Sequence, residues 1–126
     1  MEKQKILIVD DSEMNRALLA DILEEQYDVA EAENGMEAIS ILRRQRAEFS
    51  LLLLDIMMPE MDGFEVLACI NRYHWNDTLA VIMISADDSP ANIKRAYDLG
   101  AFDYISRPFD STIVQRRISN TMFLYA

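Results

Sequence analysis

Three short, mostly apolar runs in this chain each end in charged residues. Those residues are Asp10 and Asp11 after the run 6–9, Asp55 after the run 51–54, and Arg107 after the run 104–106. Short apolar runs separated by helix-length stretches are typical of parallel strands that are buried on both faces of a sheet. In such sheets the ligand crevice lies outside the carboxyl ends of the strands. If these strands are neighbours, we expect three carboxylates and one cation to meet in a single pocket.

Strand-like and helix-like segments alternate along the whole sequence. Strands are predicted at 5–10, 27–33, 51–54, 79–84 and 102–106, and helices at 13–25, 37–46, 64–75, 90–99 and 110–126. This alternation predicts one α/β domain, a doubly wound (βα)5 fold with a five-stranded parallel sheet and right-handed crossovers. The weakly alternating segment 27–33 is predicted to be an edge strand, whereas 79–84 is too apolar for an edge.

The first helix is predicted from an apolar periodicity and a capping residue. Met14, Leu18 and Ile22 recur at intervals of four residues, a spacing that places side chains on one face of a helix. Ser12 stands immediately before this segment and is the predicted N-cap. The spacing and the cap together predict a helix over residues 13–25.

Composition excludes several classes of function. The 126 residues carry a net charge of −10, which argues against direct binding to nucleic acid or to an anionic membrane. The apolar runs are too short to span a bilayer, and residues 1–5 show no signal-peptide core. Cys69 is the only cysteine, so a disulfide framework is excluded. A cytoplasmic domain is predicted, and the uncapped apolar segment 123–126 predicts continuation into a linker and a further domain.

Three neighbouring aspartates would repel one another. A pair of unit charges ~4 Å apart repels by about 4 kcal/mol at an effective dielectric constant of about 20. Either a raised pKa or a bound cation relieves this repulsion. Because no histidine or cysteine accompanies the aspartates, a hard, oxygen-binding ion such as Mg²⁺ is favoured. The alternative, that each aspartate only caps a helix or a loop, would be preferred for one aspartate alone but not for three together.

A carboxylate beside a metal ion can also act as a nucleophile towards phosphorus and form an aspartyl phosphate. Phosphoryl transfer requires mainly positioning and the neutralisation of charge on the phosphoryl oxygens. Ser85 and Arg107 each follow or end a predicted strand. They are the candidates for donating hydrogen bonds to those oxygens. Asp87 could influence an attacking water, although simple solvation in a loop is the alternative.

Five motifs resemble those of the receiver domain of two-component response regulators. They are IVDDS at 8–12, LLDIMMP at 53–59, DG at 62–63, ISA at 84–86 and RPF at 107–109. The resemblance covers essentially the whole chain, residues 1–126, as a single receiver domain, which we expect to be the N-terminal part of a longer protein. It implies a flavodoxin-like sheet with the strand order 2-1-3-4-5.

The resemblance also implies roles for the acidic residues. Asp55 corresponds to the phosphoacceptor of the family. Asp10 and Asp11 correspond to the residues that hold Mg²⁺, together with Asp55 and the backbone carbonyl of Met57. Mg²⁺ is accordingly the expected cofactor.

The same resemblance implies a switch with one departure from the family pattern. Ser85 corresponds to the hydroxyl that closes on the phosphoryl group, and Tyr104 to the aromatic residue that rotates inward when Ser85 moves. The family usually has lysine where this chain has Arg107. A guanidinium group is planar and presents several N–H donors in a fixed arrangement, whereas an ammonium group is a compact point charge. The charge is thus kept at this position while the geometry differs.

The implied function is a signalling switch that turns over no external substrate. A histidine kinase, a phosphotransfer protein or a small acyl phosphate would donate the phosphoryl group to Asp55 in a Mg²⁺-dependent reaction. The output would be a C-terminal domain, and the segment SRPFD at 106–110 resembles receivers attached to domains of cyclic-di-GMP synthesis or hydrolysis. Homodimerisation through the fourth helix, fifth strand and fifth helix is a further expectation.

Three other functions are alternatives to a phosphorylation-operated switch. Arg107 favours an interaction module that dimerises without phosphorylation. A phosphohydrolase of the haloacid-dehalogenase type also places a nucleophilic aspartate after a strand, but it needs a second acid where this chain has Met57. A flavodoxin-like FMN carrier would need hydrogen-bond donors in the loop that Asp10 and Asp11 occupy.

Overall fold

The predicted alternation of strands and helices is present in the computed structural model, which describes residues 3–86 and 89–125. The elements are β1 (Lys5–Val9), α1 (Glu13–Leu23), β2 (Asp28–Ala32), α2 (Gly35–Gln45), β3 (Leu51–Asp55), α3 (Gly63–Arg72), β4 (Ala80–Ser85), α4 (Pro90–Asp98), β5 (Asp103–Ser106) and α5 (Ser111–Tyr125). The described strands form one parallel sheet in the order β2-β1-β3-β4-β5. This confirms the predicted doubly wound fold, with β2 at an edge and β4 inside the sheet.

The central strands are apolar because helices cover both faces of the sheet. Side chains of successive strand residues point to opposite faces, so Leu52 and Leu54 join one buried cluster with residues of α2, α3 and α4. Leu51 and Leu53 join a second cluster with residues of α1 and α5. All four leucines are fully buried. The run of leucines therefore fixes β3 at the centre of the sheet, and its last residue, Asp55, at the centre of the carboxyl edge.

The helix predicted at 13–25 is present as α1, and its buried face is formed by one of two apolar rows. Met14 is 79% exposed and Leu18 is 45% exposed, whereas Leu19 and Leu23 are buried against the sheet. The row of Leu19 and Leu23 is adjacent to the row of Leu18 and Ile22 on the helix surface, because successive residues are separated by about 100°. The helix is apolar along both rows, and only packing against the sheet determines which row is buried.

Several helix boundaries also differ from the predictions, among them those of α2 and α3. α2 begins at Gly35 rather than at 37, because the Asn34 side chain accepts a hydrogen bond from the backbone N–H of Glu37 at 2.8 Å. α3 ends at Arg72 rather than near 75, and His74 follows in the left-handed conformation with φ of 58°. Within the described ranges, no helix is both long enough and apolar enough to cross a bilayer.

The start of α3 packs directly against the backbone that follows β3. A Cβ atom at Gly63 would lie 2.3 Å from the carbonyl oxygen of Asp55 and 2.8 Å from the Cα of Ile56. The Gly63 N–H donates to the carbonyl oxygen of Ile56 at 2.8 Å. Asp62 caps the helix and forms a capping box with Glu65, an arrangement that satisfies N–H groups at the helix start. This close approach fixes the position of the backbone at Asp55.

Candidate functional site

The adjacency of β1 and β3 brings the three predicted carboxylates together. Val9 pairs with Leu54, so Asp10 and Asp55 follow or end neighbouring strands at the same edge. One ligand oxygen from each of Asp10, Asp11 and Asp55 lies within 4.8 Å of the others. Asp10 and Asp55 are buried, while Asp11 is exposed. The cluster is therefore open to solvent on the side of Asp11.

Asp10 is held by hydrogen bonds on both carboxylate oxygens. Its Oδ1 accepts from the backbone N–H of Ser12 at 2.9 Å. Its Oδ2 accepts from Nη2 of Arg107. Its backbone carbonyl accepts from Nη1 of Arg16 at 2.7 Å, and Arg16 also forms an ion pair with Glu31 at 3.0 Å. The backbone and side chain of Asp10 are thus fixed by α1 and by the loop after β5.

Arg16 is a site residue that the sequence interpretation missed. It lies in α1 four residues after the N-cap Ser12, and residues near a helix start lie close to the loop that precedes it. That spacing was the available signal, since a cation one turn into the helix after Asp10 can reach back to the acidic loop. Its contact supports the loop without touching a carboxylate oxygen of Asp10.

Asp55 has one oxygen with partners and one without. Oδ1 lies 3.3 Å from Nη2 of Arg107 and accepts a long hydrogen bond of 3.4 Å from the backbone N–H of Met57. Oδ2 is buried and has no hydrogen-bond partner among the residues that the structure describes. Burial raises the pKa of Asp55 to about 7, and the negative charge of Asp10 adds to this effect while Arg107 opposes it. Asp55 is thus a poorly satisfied carboxylate in its present surroundings.

Arg107 reaches the carboxylates from the end of β5. Ser106 pairs with Ser85, and the Arg107 N–H donates to the Ser85 carbonyl oxygen at 3.0 Å. The side chain is 22% exposed and its Nη2 contacts both Asp10 and Asp55. Its Nε is buried and without a partner within the described part of the chain. The cation expected from the sequence is therefore in contact with two of the three aspartates.

The remaining predicted site residues surround this cluster. Ser85 ends β4 beside β3, where Ile84 pairs with Asp55, and it is fully buried. Tyr104 on β5 is also buried and lines a cavity of about 360 Å³ between α4, β5 and α5. Met57 is 65% exposed, and because its soft thioether is a poor ligand for a hard cation, any part it takes in binding such a metal falls to its backbone carbonyl. Asp87 lies outside the described residues.

The donor set fits a hard divalent cation. All three carboxylates supply oxygen ligands, and Mg²⁺ is bound in proteins through a few carboxylates with several waters. The Oδ2 atom of Asp55 is the observation that favours this fit, because a buried carboxylate oxygen without a partner is energetically costly. A divalent cation held by this carboxylate and its neighbours would reduce this cost.

Comparisons with known proteins agree with the fold. The family model for the response regulator receiver domain matches residues 6–119. The chain is 37% identical over 123 residues to the chemotaxis protein CheY of Halobacterium salinarum, covering 97% of this chain and 98% of that protein. It is 34% identical over 113 residues to a probable cyclic di-GMP phosphodiesterase of Vibrio cholerae, covering 90% of this chain and 25% of that protein.

A solved structure has the same fold as this chain. The crystal structure of a putative two-component system response regulator/GGDEF domain protein superposes with a TM-score of 0.90 at 31% identity. The match covers 98% of this chain and 50% of that one. This chain therefore spans half or less of some similar proteins and nearly all of others. It belongs to the family of response regulator receiver domains, the signalling domains of two-component systems.

Proposed function

We propose that this receiver domain is a phosphorylation-operated switch in which Asp55 accepts the phosphoryl group. The observation that carries the proposal is the Oδ2 atom of Asp55, which is buried, lacks a hydrogen-bond partner among the described residues and lies in a cluster with Asp10 and Asp11. A carboxylate oxygen with no competing partner is available as a nucleophile. Because Asp11 is exposed, a donor can approach the cluster from solvent.

The three carboxylates and the backbone carbonyl of Met57 are the groups that would hold Mg²⁺. When bound there, the ion would supply charge neutralisation for the phosphoryl oxygens and for the cluster itself. Asp10 is oriented for this task by the Ser12 N–H and by the contacts of its backbone with Arg16. The protein thus presents two positioned ligands and one exposed ligand.

The chemistry at Asp55 is the transfer of one phosphoryl group to the carboxylate from a phosphoramidate or an acyl phosphate donor. An oxygen of Asp55 attacks phosphorus, and the bond from phosphorus to the donor's imidazole nitrogen or acyl oxygen breaks. Ser85 would donate a hydrogen bond from its hydroxyl to one phosphoryl oxygen. Arg107, which already lies beside Asp55, would meet a second oxygen, where a guanidinium can donate two parallel hydrogen bonds.

The consequence of phosphorylation is a population shift at the neighbouring surface. Phosphorylation adds about −1.5 to −2 charge, and Ser85 and Arg107 would contact that charge better in one conformation than in another. Tyr104 is the proposed aromatic switch because it is buried beside the cavity between α4, β5 and α5.

The surface formed by α4, β5 and α5 is also the proposed homodimer surface. On this surface Arg117 pairs with Asp103 at 3.3 Å.

The proposed partners follow from this role. A cytoplasmic histidine kinase or phosphotransfer protein supplies the phosphoryl group, and a C-terminal output domain or a separate protein responds. The Vibrio cholerae relative, of which this chain matches 25%, supports a cyclic-di-GMP-related output as one such domain. We expect no turnover of an external substrate, and the net charge of −10 opposes direct binding to nucleic acid.

Treatment with acetyl phosphate tests the proposal. The wild type should gain one phosphoryl group by intact mass when Mg²⁺ is present and none when the ion is chelated. Asp55→Asn should gain none under either condition, and the exposed variant Asp21→Asn should behave like the wild type. Phosphorylation of Asp55→Asn to the wild-type level would contradict the assignment.

A second candidate function is favoured by the contacts of Arg107. Its Nη2 contacts both Asp10 and Asp55, an arrangement that offsets part of the negative charge of the pair without any metal. A domain with such a permanent internal cation could serve as an interaction module that dimerises without phosphorylation. Calorimetric titration with Mg²⁺ separates the two functions, since only the switch requires measurable binding.

A further inference from the structure

The last turns of α2 and α3 lie side by side at the amino edge of the sheet, opposite to the acidic cluster. Both helices cover the same face of the sheet, and a helix that connects two parallel strands runs back along the sheet before the next strand begins. The Cζ atom of Arg46, which directly follows α2, lies 5.2 Å from the ring centroid of Trp75, three residues after α3. This contact joins the two helix ends into one surface.

The surface at these helix ends is basic and aromatic. Arg43 lies one helical turn before Arg46, and Arg43 and Arg72 are both exposed. The ring of Tyr73 stacks on that of Trp75 at a centroid distance of 5.2 Å, with Tyr73 46% exposed and Trp75 8% exposed. We call Arg43, Arg46, Arg72, Tyr73 and Trp75 the basic–aromatic surface. Tyrosine, tryptophan and arginine are the residue types that contribute most of the binding energy in protein interfaces.

The positive charge of the basic–aromatic surface is not neutralised within the chain. Among the described residues, none of its three arginines forms an ion pair with a carboxylate. The stretches 38–47 and 66–76 contain no acidic residue, although the chain has 22. Of the acids that directly follow these stretches, Glu48 lies 3.9 Å from Lys5 and Asp77 forms no ion pair with the described arginines. The three guanidinium groups are therefore available to carboxylates of another molecule.

We propose that the basic–aromatic surface binds an acidic segment of a partner protein. Carboxylates can accept two parallel hydrogen bonds from each guanidinium, while the exposed tyrosine ring supplies apolar contact area. The net charge of −10 does not prevent this, because charges farther away than about 8 Å are largely screened at physiological salt. A nucleic acid is disfavoured, because its closely spaced phosphates extend beyond the surface and over the acidic remainder of the domain.

The position of the surface gives this interaction a consequence. Asp55 lies at the carboxyl edge of the sheet, whereas the basic–aromatic surface lies at the amino edge. A partner bound there would anchor the domain and leave the acidic cluster open to a phosphoryl donor. The inference does not rest on the proposed function, since no residue of the surface takes part in phosphoryl transfer.

A fluorescence titration with a glutamate-rich peptide tests the proposal. Trp75 is the only tryptophan in the chain, so its emission reports on the surface directly. The wild type should bind this peptide and not its glutamine counterpart. The double variant Arg43→Gln/Arg72→Gln should bind roughly tenfold more weakly, as expected for the loss of two exposed charge pairs. The matched control Arg95→Gln/Arg116→Gln removes two exposed arginines elsewhere and should stay within about twofold, because distant charges are screened.

A second measurement on the wild type does not depend on the folding of any variant. Backbone amide resonances of residues 43–46 and 72–75 should shift when the glutamate-rich peptide is added, and Asp55→Asn should bind it as the wild type does. Absent binding, equal binding of the glutamine peptide, or shifts confined to α5 would each overturn the proposal.

Two further outcomes identify a different role for the arginines. Arg43 and Arg72 lie in the last turns of their helices, where a positive charge also stabilises the helix end. Reduced stability of Arg43→Gln/Arg72→Gln in urea with unchanged peptide affinity would show that helix-end role alone and overturn the proposal. A single-stranded oligonucleotide that binds the surface more tightly than the peptide would overturn the assignment of a protein partner.

Discussion

The ionisation of Asp55 should make the metal-free domain less stable as pH rises. The pKa of Asp55 is raised from its ordinary value of 3.8 to about 7 by burial, with a further contribution from Asp10. Between these two values the folded state holds a proton that the unfolded chain has released. Stability therefore falls as pH rises through this window and becomes constant above a pH of about 7.

The size of this effect follows from the pKa difference. A change from 3.8 to about 7, at about 1.36 kcal/mol for each pKa unit, corresponds to about 4 kcal/mol. Only part of this change in the free energy of unfolding occurs above a pH of about 5, because Asp55 is already mostly ionised in the unfolded chain at that pH. The linkage relation gives about 2 to 3 kcal/mol between pH values of about 5 and about 8.

Urea unfolding with a chelator present measures this prediction in the wild type and in Asp55→Asn. The amide cannot ionise, so the stability of the variant relative to the wild type should increase by about 2 to 3 kcal/mol between the two pH values. Any constant effect of the substitution on packing cancels in that comparison. Asp21→Asn, at an exposed position, should show no such trend, and a difference that stays flat with pH in Asp55→Asn would refute the reasoning.

Three further predictions concern the framework that positions the site, and each is checked by chemical denaturation. Gly63→Ala places a Cβ atom 2.3 Å from the carbonyl oxygen of Asp55 and should destabilise the domain by about 1–3 kcal/mol or more; a neutral result would contradict the close packing of α3. Leu19→Ala should cost about 2–5 kcal/mol, whereas Met14→Ala, at 79% exposure, should stay within about 0.5 kcal/mol; similar costs would contradict the orientation of α1. Asp62→Ala removes the N-cap of α3 and should cost about 1 kcal/mol; no loss would show that the cap is dispensable.

The composition of the strands made much of the site predictable. A fully apolar run followed by an acidic residue specifies both a buried strand and the end at which the acid lies, so Asp10 and Asp55 could be assigned to one edge of a sheet. That β1 and β3 are neighbours came from the resemblance to receiver domains and is confirmed by the sheet order. The clustering of the three aspartates follows from these two points together.

Other features depend on tertiary packing that spacing does not encode. Leu18 and Leu19 lie on adjacent rows of α1, and only contact with the sheet selects Leu19 as the buried residue. Arg107 could be assigned to the correct loop, but the reach of its long side chain to Asp10 depends on rotamers rather than on position. Gly63 resembled an ordinary loop glycine, whereas it is required by a backbone approach between segments that only the folded chain brings together.

The most direct test of the switch is to locate the modified residue chemically. Borohydride reduces an aspartyl phosphate to homoserine, so treatment with acetyl phosphate and Mg²⁺ followed by borohydride leaves a stable mark that peptide sequencing by mass spectrometry can place. We predict homoserine at position 55 in the wild type and no homoserine in a sample treated with a chelator. Homoserine at another aspartate, or none in the presence of Mg²⁺, would contradict the assignment of Asp55 as the phosphoacceptor.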